Sequence, residues 1–179
     1  MNALGVTFFD TAIGCCGIAW NERGIIGVQL PEANHSDARV RMLRRFPDAQ
    51  QVSPPAEVAG AVEGITALLR GETPDLSAIV IDMEGVPPFH RRVYQATRTI
   101  RPGATVSYGA IAARLGEPGA ARAVGQALGE NPFALLVPCH RVVAAHGKVG
   151  GFSGHGGRST KLRLLAIEGG LGPLLLGEG

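Results

Sequence analysis

A chain of 179 residues has room for one large domain or two small ones. Hydrophobic residues make up 45% of it and charged residues 18%, a balance that excludes wholesale disorder. No apolar run approaches the roughly 20 residues that span a bilayer. Acidic Asp10 stands where a secretory signal would be basic, and no cleavage site follows it, so a cytoplasmic protein with no membrane contact is expected. The three cysteines, Cys15, Cys16 and Cys139, form no disulfide framework and suit a reducing compartment.

Net charge divides sharply along the chain. Met1 to Gly85 holds 6 Arg and no Lys against 11 Asp plus Glu, a balance of −5. Val86 to Gly179 holds 9 Arg and 2 Lys against 4 Glu, a balance of +7. A basic half beside an acidic one suggests a polyanionic partner for the second half, although basic halves are often merely solvated.

In chain order, Val6–Phe9 and Gly17–Trp20 read as strands about a turn at Thr11 to Gly14, and Ile25–Leu30 follows a turn at Asn21 to Gly24. This is the pattern of an antiparallel meander. Ser36 or Asp37 caps a short helix through Phe46, and Glu57 to Leu69 spaces Val58, Val62, Ile65 and Leu69 as a second helix. Ala78–Asp82 reads as a last strand, and Gly85-Val86-Pro87-Pro88 as a linker. Cys15 and Cys16 read as small strand residues. Zinc held by them with His35 or His90 matches no usual ligand spacing, so no metal and no cofactor is expected.

Beyond the linker the pattern turns helical. Phe89 to Thr97 forms one helix, and Ser107 caps another that runs through Ile111 and Leu115 to a stop at Gly116. Pro118 fits the first position of the next helix, whose stripe of Ala121, Val124 and Leu128 ends before Gly129. Two short helices about a tight glycine turn have the form of a helix-turn-helix, or of an ordinary helical hairpin. Ala134–Val137 reads as a buried strand stopped by Pro138. A glycine-rich loop spans Gly147 to Gly157, and a final helix runs from Ser159 or Thr160 to Gly169. The expected division is 1–85, 86–169 and a flexible tail at 170–179.

Chemistry concentrates at Asn131-Pro132-Phe133-Ala134-Leu135-Leu136-Val137-Pro138-Cys139-His140-Arg141-Val142-Val143. A cysteine followed at once by two potential cations sits where a thiolate is favoured over a thiol, although most free cysteines are small buried hydrophobes. Glu168, in the last helical turn, opposes the helix dipole at up to about 1 kcal/mol. It is either a solvated side chain on a frayed end or the partner of a group such as an imidazole.

The run Pro138-Cys139-His140-Arg141-Val142-Val143 resembles the active-site motif of the O6-alkylguanine-DNA alkyltransferases, the methylated-DNA–protein-cysteine methyltransferases. Val106-Ser107-Tyr108-Gly109, Ala120-Ala121-Arg122-Ala123-Val124-Gly125, Asn131-Pro132 and Leu164-Leu165-Ala166-Ile167-Glu168-Gly169 stand in that family's order and spacing. The resemblance is strong from Phe89 to Gly169 and faint before it. It implies an α/β protein with a small-sheet N-terminal α/β domain and a helical C-terminal domain carrying a winged helix-turn-helix. It also implies a monomer acting on double-stranded DNA that contains alkylated guanine.

The implied roles follow residue by residue. Cys139 accepts the alkyl group irreversibly from O6-alkylguanine, with O4-alkylthymine a further candidate substrate. His140 takes the thiol proton through a water, and Glu168 orients the imidazole. Tyr108 donates towards guanine N3, and Asn131 holds the cysteine loop. Carbonyls of Cys139 and Val142 accept from the exocyclic amine of the base, and the Ser153 N–H donates to O6. Arg122 fills the space left by the flipped nucleotide. Small Ala121, Ala123 and Gly125, with Ser107, complete a DNA face that enters the minor groove. Phe152 stands where many relatives carry tyrosine, which alters the pocket wall and, with it, the expected range of alkyl groups. The alternative function is a non-catalytic protein that only binds alkyl lesions. A helix-turn-helix transcription factor leaves Cys139-His140 and Glu168 without a role, and a cysteine hydrolase would turn over repeatedly.

Overall fold

The computed structural model describes residues 4–31, 35–145 and 157–169. The chain divides into two compact units. One is Met1–Gly85 with Pro132–Leu136, and the other is Val86–Asn131 with Val137–Gly179.

The first unit is built on a four-stranded sheet in the order β3-β2-β1-β4, from β1 (Gly5–Thr11), β2 (Gly14–Asn21), β3 (Gly24–Gln29) and β4 (Gln50–Gln51). The expected meander is present, and local turn chemistry accounts for its register. Thr11 Oγ1 donates to the Gly14 carbonyl at 2.7 Å, while Gly14 adopts φ 125°, a conformation that disfavours a side chain. At the next turn, Asn21 Oδ1 accepts from the N–H of Arg23 at 2.8 Å and of Gly24 at 3.2 Å. These turns place Val6 opposite Ala19 and, with Ile26, above Met42 of α1 (His35–Arg45). The four side chains are at most 1% exposed and form the core of this layer. The second helix, α2 (Ala56–Leu69), buries Val58, Ala61, Ile65, Leu68 and Leu69.

Two expected strands do not form. Ala78–Asp82 touches β3 only through an isolated bridge from Ile81 to Ile25, with the Ile25 N–H on the Val80 carbonyl and the Asp82 N–H on the Ile25 carbonyl. The Asp82 carboxylate is drawn to Asn21 and Arg23 instead, and Val80 remains 63% exposed. Its apolar run therefore records one bridge and not a buried strand. Ala134–Val137 fails for a backbone reason. Leu135 holds φ 71°, a left-handed conformation that breaks extended pairing; Leu135 and Leu136 form a turn between single bridge residues, and Phe133, just before the run, bridges to Val28 of β3.

The second unit contains α3 (Pro88–Thr97), α4 (Tyr108–Arg114), α5 (Ala121–Gly129) and α6 (Arg158–Ile167), with β5 (Val106–Ser107) parallel to β6 (Val142–Val143). Ser107 caps α4 as expected, its Oγ accepting from the Ala110 N–H at 3.0 Å, and Gly116 takes φ 77° after the helix. Pro118 does not open α5. The Ala120 N–H closes a turn on the Glu117 carbonyl, so Pro118 sits inside that turn and α5 begins at Ala121. Gly129 ends the helix from within. Val124, Ala127 and Leu128 form the buried stripe, whereas Ala121, expected in it, is half-buried; the Tyr94 hydroxyl of α3 donates to the Ala127 carbonyl at 2.7 Å. Among the described residues no helix is long and apolar enough to cross a membrane.

Truncating the fully buried Met42 to alanine leaves a cavity under the sheet. Met42→Ala is expected to lower stability by about 2–5 kcal/mol, seen in urea as an earlier midpoint with an unchanged slope.

Candidate active site

All described candidate residues with an expected chemical role lie in the second unit, spread over several elements. Ser107 ends β5, Tyr108 begins α4, Arg122 lies in the first turn of α5, and Cys139 and His140 form a 3₁₀ turn with Arg141. Glu168 caps the C-terminal end of α6. The sequence placed Cys139 at the end of a strand. The structure instead holds it in a tight turn in which the Cys139 N–H bonds the Val137 carbonyl at 2.7 Å and the Arg141 N–H bonds the Pro138 carbonyl at 2.9 Å.

Asn131 controls the entry to that turn. Its Nδ2 donates to the Val137 carbonyl at 2.9 Å, and its side chain also hydrogen-bonds the Cys139 thiol. The chain leaves the second unit after Asn131 and returns at Val137, so this one amide ties the two ends of the excursion together beside the cysteine.

Behind the cysteine lies a buried ionic group. The Glu168 carboxylate, 2% exposed, meets His140 Nε2 at 2.9 Å and Arg141 through Nε at 2.9 Å and Nη2 at 2.8 Å. Arg141 Nη1 donates to the Ile100 carbonyl at 2.6 Å. The fork of the guanidinium on the two carboxylate oxygens is the strongest geometry available to such a pair. Despite burial, these bonds pull the Glu168 pKa down to about 2. Of the two readings open for Glu168, the partner of an imidazole is the one present.

His140 is 1% exposed, and burial lowers its pKa even against the pull of Glu168. It is therefore a neutral imidazole at pH 7. With Nε2–H donating to the carboxylate, Nδ1 carries the lone pair, and Nδ1 is buried without a protein hydrogen-bond partner. A neutral, oriented imidazole with an open basic nitrogen is a proton acceptor.

The expectation that the following cations hold Cys139 as a thiolate is corrected. Burial raises the Cys139 pKa, opposed by the Asn131 hydrogen bond and by the charge of Lys161. Arg141 is committed to Glu168 and Ile100, and His140 is uncharged. The resting sulfur is a thiol that needs a base.

Lys161 of α6 was not found from the sequence. It is 0% exposed, and its Nζ donates to the Val142 carbonyl at 2.7 Å and to the Tyr108 hydroxyl at 3.2 Å. Burial pulls its pKa down to about 8, while Cys139 pulls upward. Lysine at a helical position reads as solvated in any sequence pattern, so only its burial marks it.

Cys139, Tyr108, Ser107, Ala121, Arg122 and Gly125 line one cavity of about 770 Å³. The cavity thus joins the sulfur to the exposed first turn of α5. Ala123 is exposed beside Arg122, and the Gly125 Cα faces the Tyr108 ring closely enough that an added Cβ would lie 3.8 Å from it. Val142 is buried, with its carbonyl taken by Lys161. Phe152 and Ser153 lie outside the described residues. Cys16 is buried in β2, its thiol pushed up to about 12, and Cys15 beside it is half-buried.

Comparison with known proteins adds four findings. Residues 88–170 match the family described as 6-O-methylguanine DNA methyltransferase, DNA binding domain. The methylated-DNA–protein-cysteine methyltransferase of Mycolicibacterium paratuberculosis is 48% identical, over 89% of this chain and 88% of that protein. A DNA base-flipping protein of Thermus thermophilus is 46% identical over 66% of this chain and 80% of its own length. Among solved structures, Mycobacterium tuberculosis OGT in complex with DNA covers 97% of this chain and 98% of its own, at 35% identity and a TM-score of 0.73.

Removing one member of a buried ionic group strands the other. Glu168→Gln is expected to lower stability by about 3–5 kcal/mol at pH 7. Glu168 has a folded pKa of about 2 against an ordinary value of 4.5, so its stabilisation is complete above about pH 4.5 and is lost as pH falls towards 2. The stability gap between parent and variant, followed by urea unfolding, is expected to narrow across that window.

Proposed function

The chain belongs to the methylated-DNA–protein-cysteine methyltransferase family, and we propose that it repairs DNA directly by moving the alkyl group of an O6-alkylguanine onto Cys139. The observation that carries this reading is the buried His140–Glu168 pair, 2.9 Å apart, directly behind a cysteine that shares its cavity with the first turn of α5.

In the resting site the sulfur is protonated and His140 is neutral. The thiol proton passes through a water to His140 Nδ1, and the imidazolium so formed is stabilised by the Glu168 carboxylate. The thiolate attacks the alkyl carbon on guanine O6. A sulfur–carbon bond forms, the carbon–oxygen bond breaks, and its electron pair passes into the purine. Tyr108 supplies a proton at N3, which makes the base a better leaving group. The product is a thioether, a poor leaving group at neutral pH, so each molecule acts once.

The target oxygen lies inside a base pair, and the nucleotide must leave the stack to reach Cys139, at a cost of a few kcal/mol. Arg122 is exposed and lines the cavity mouth, where it can occupy the space the base vacates. Small Ala121, Ala123 and Gly125 let α5 approach the phosphate backbone in the minor groove. Binding through phosphates is weakly sequence-specific and sensitive to salt. The three free cysteines suit a reducing compartment, and this reading puts the protein in the cytoplasm as a monomer.

Incubation with a duplex carrying one O6-methylguanine is expected to add one methyl group per protein, mapped to Cys139 by intact and peptide mass. Cys139→Ser is expected to gain nothing. Tight lesion binding without a mass gain would instead support the lesion-binding alternative. For Arg122→Ala, transfer from duplex is expected to slow by about tenfold or more, since about 1.4 kcal/mol of lost flipping energy suffices. Reaction with free O6-benzylguanine, which needs no flipping, should be nearly unchanged.

A further inference from the structure

Lys161 has no part in the steps above, yet it is fully buried among the groups that carry them. Burying an ammonium is costly unless its protons are satisfied, and two of its bonds go to the reaction site. One holds the Val142 carbonyl at 2.7 Å, and the other reaches the Tyr108 hydroxyl at 3.2 Å. Its Nζ also stands 5.5 Å from the centre of the Tyr108 ring.

The direction of the Lys161–Tyr108 bond matters most. A charged lysine only donates, so the phenol oxygen accepts and its own hydrogen must point elsewhere. Tyr108 lines the cavity with Cys139. Burial and the neighbouring Cys139 both raise the Tyr108 pKa, which makes an unassisted phenol a poor acid at this site.

We propose that Lys161 is the positioning residue that makes Tyr108 an effective proton donor to the departing base. Its Nζ–H holds the phenol oxygen, turns the O–H towards the base, and stabilises the phenolate as it forms. The proton of Tyr108 goes to guanine N3 as the alkyl carbon–oxygen bond breaks. The phenolate then recovers a proton from the Lys161 ammonium, and solvent reprotonates the neutral amine. A lysine with pKa drawn down to about 8 gives up that proton readily. The Cys139 proton travels separately, to His140, so the two proton paths do not share a group.

This inference rests on the proposed alkyl transfer, and its test separates the two. Single-turnover rates are compared on O6-benzylguanine and on O6-benzyl-3-deazaguanine, which has carbon in place of N3 and cannot be protonated there. Lys161→Met is expected to slow the guanine substrate by about 100-fold, the lower range of general-acid effects. Part of any loss will come from the charge that Lys161 lends the Cys139 thiol, and that part falls on both substrates. The ratio of guanine to 3-deazaguanine rates is therefore the readout, and it is expected to drop about tenfold or more. Lys161→Met combined with Tyr108→Phe should lower that ratio no further than either change alone, as expected of residues acting as one unit. Lys161→Gln, which keeps a donor without charge, should fall between parent and Lys161→Met and guards against a packing artefact. An unchanged ratio in both Lys161 variants, or additive losses in the double variant, would overturn the proposal. Failure of the unaltered protein to alkylate Cys139 with either base would sink the proposed function, and this inference with it.

Discussion

The reaction centre depends on one carboxylate shared by a guanidinium and an imidazole. Glu168 receives the fork of Arg141 on one side and the His140 ring on the other, all three nearly out of water. The hydrogen bonds from Arg141 and His140 keep Glu168 ionised. An ionised Glu168 fixes the tautomer of His140, and the fixed tautomer leaves Nδ1 as the basic nitrogen. The same guanidinium reaches the Ile100 carbonyl, which ties the turn that bears Cys139 to the chain beyond α3. Buried ion pairs are weak sources of net stability. Here the arrangement supplies orientation, which catalysis needs more.

Around that centre the protein separates positioning from reactivity. Cys139 sits in a turn whose entry is closed by Asn131 and whose backbone is occupied by hydrogen bonds to Val137 and Pro138. Its thiol is raised by burial, which keeps it unreactive until a base removes the proton. A nucleophile used once gains from such restraint, since any stray alkylation or oxidation removes the molecule from service. Leu135 holds a left-handed backbone close before this turn. Strain of that kind persists only where surrounding contacts over-determine it, and here the side chain is 2% exposed.

The helix-turn-helix contributes a surface as well as a scaffold. Burying Val124, Ala127 and Leu128 leaves Arg122 and Ala123 outward on the first turns of α5. Ser107 caps α4 with its hydroxyl and so sets where Tyr108 begins the helix. One cavity is then lined by Arg122, Tyr108 and Cys139. The exposed arginine and the buried cysteine site therefore belong to one unit, within the basic half of the chain.

Much of this was legible in the residues themselves. Local signals survive without tertiary context, which is why the three-stranded meander, the cap at Ser107 and two of the three stripe residues of α5, Val124 and Leu128, could be read directly. The separated motifs around Cys139, Tyr108, Arg122 and Glu168 likewise identified the family by their order and spacing. Apolar runs misled where pairing was decided elsewhere. Ala78–Asp82 gained a single bridge because Asp82 was claimed by Asn21 and Arg23, and Ala134–Val137 was broken by the backbone of Leu135. Pairings across many residues were invisible for the same reason. Nothing near Arg141 announces that it will clamp Glu168 rather than activate Cys139, and nothing near Lys161 announces burial beneath Tyr108. The sequence by itself determined which chemical groups exist and which short segments coil or extend, because those depend on neighbours along the chain. Only the tertiary structure decided which groups lose water and which charges meet, and protonation states follow from those two facts.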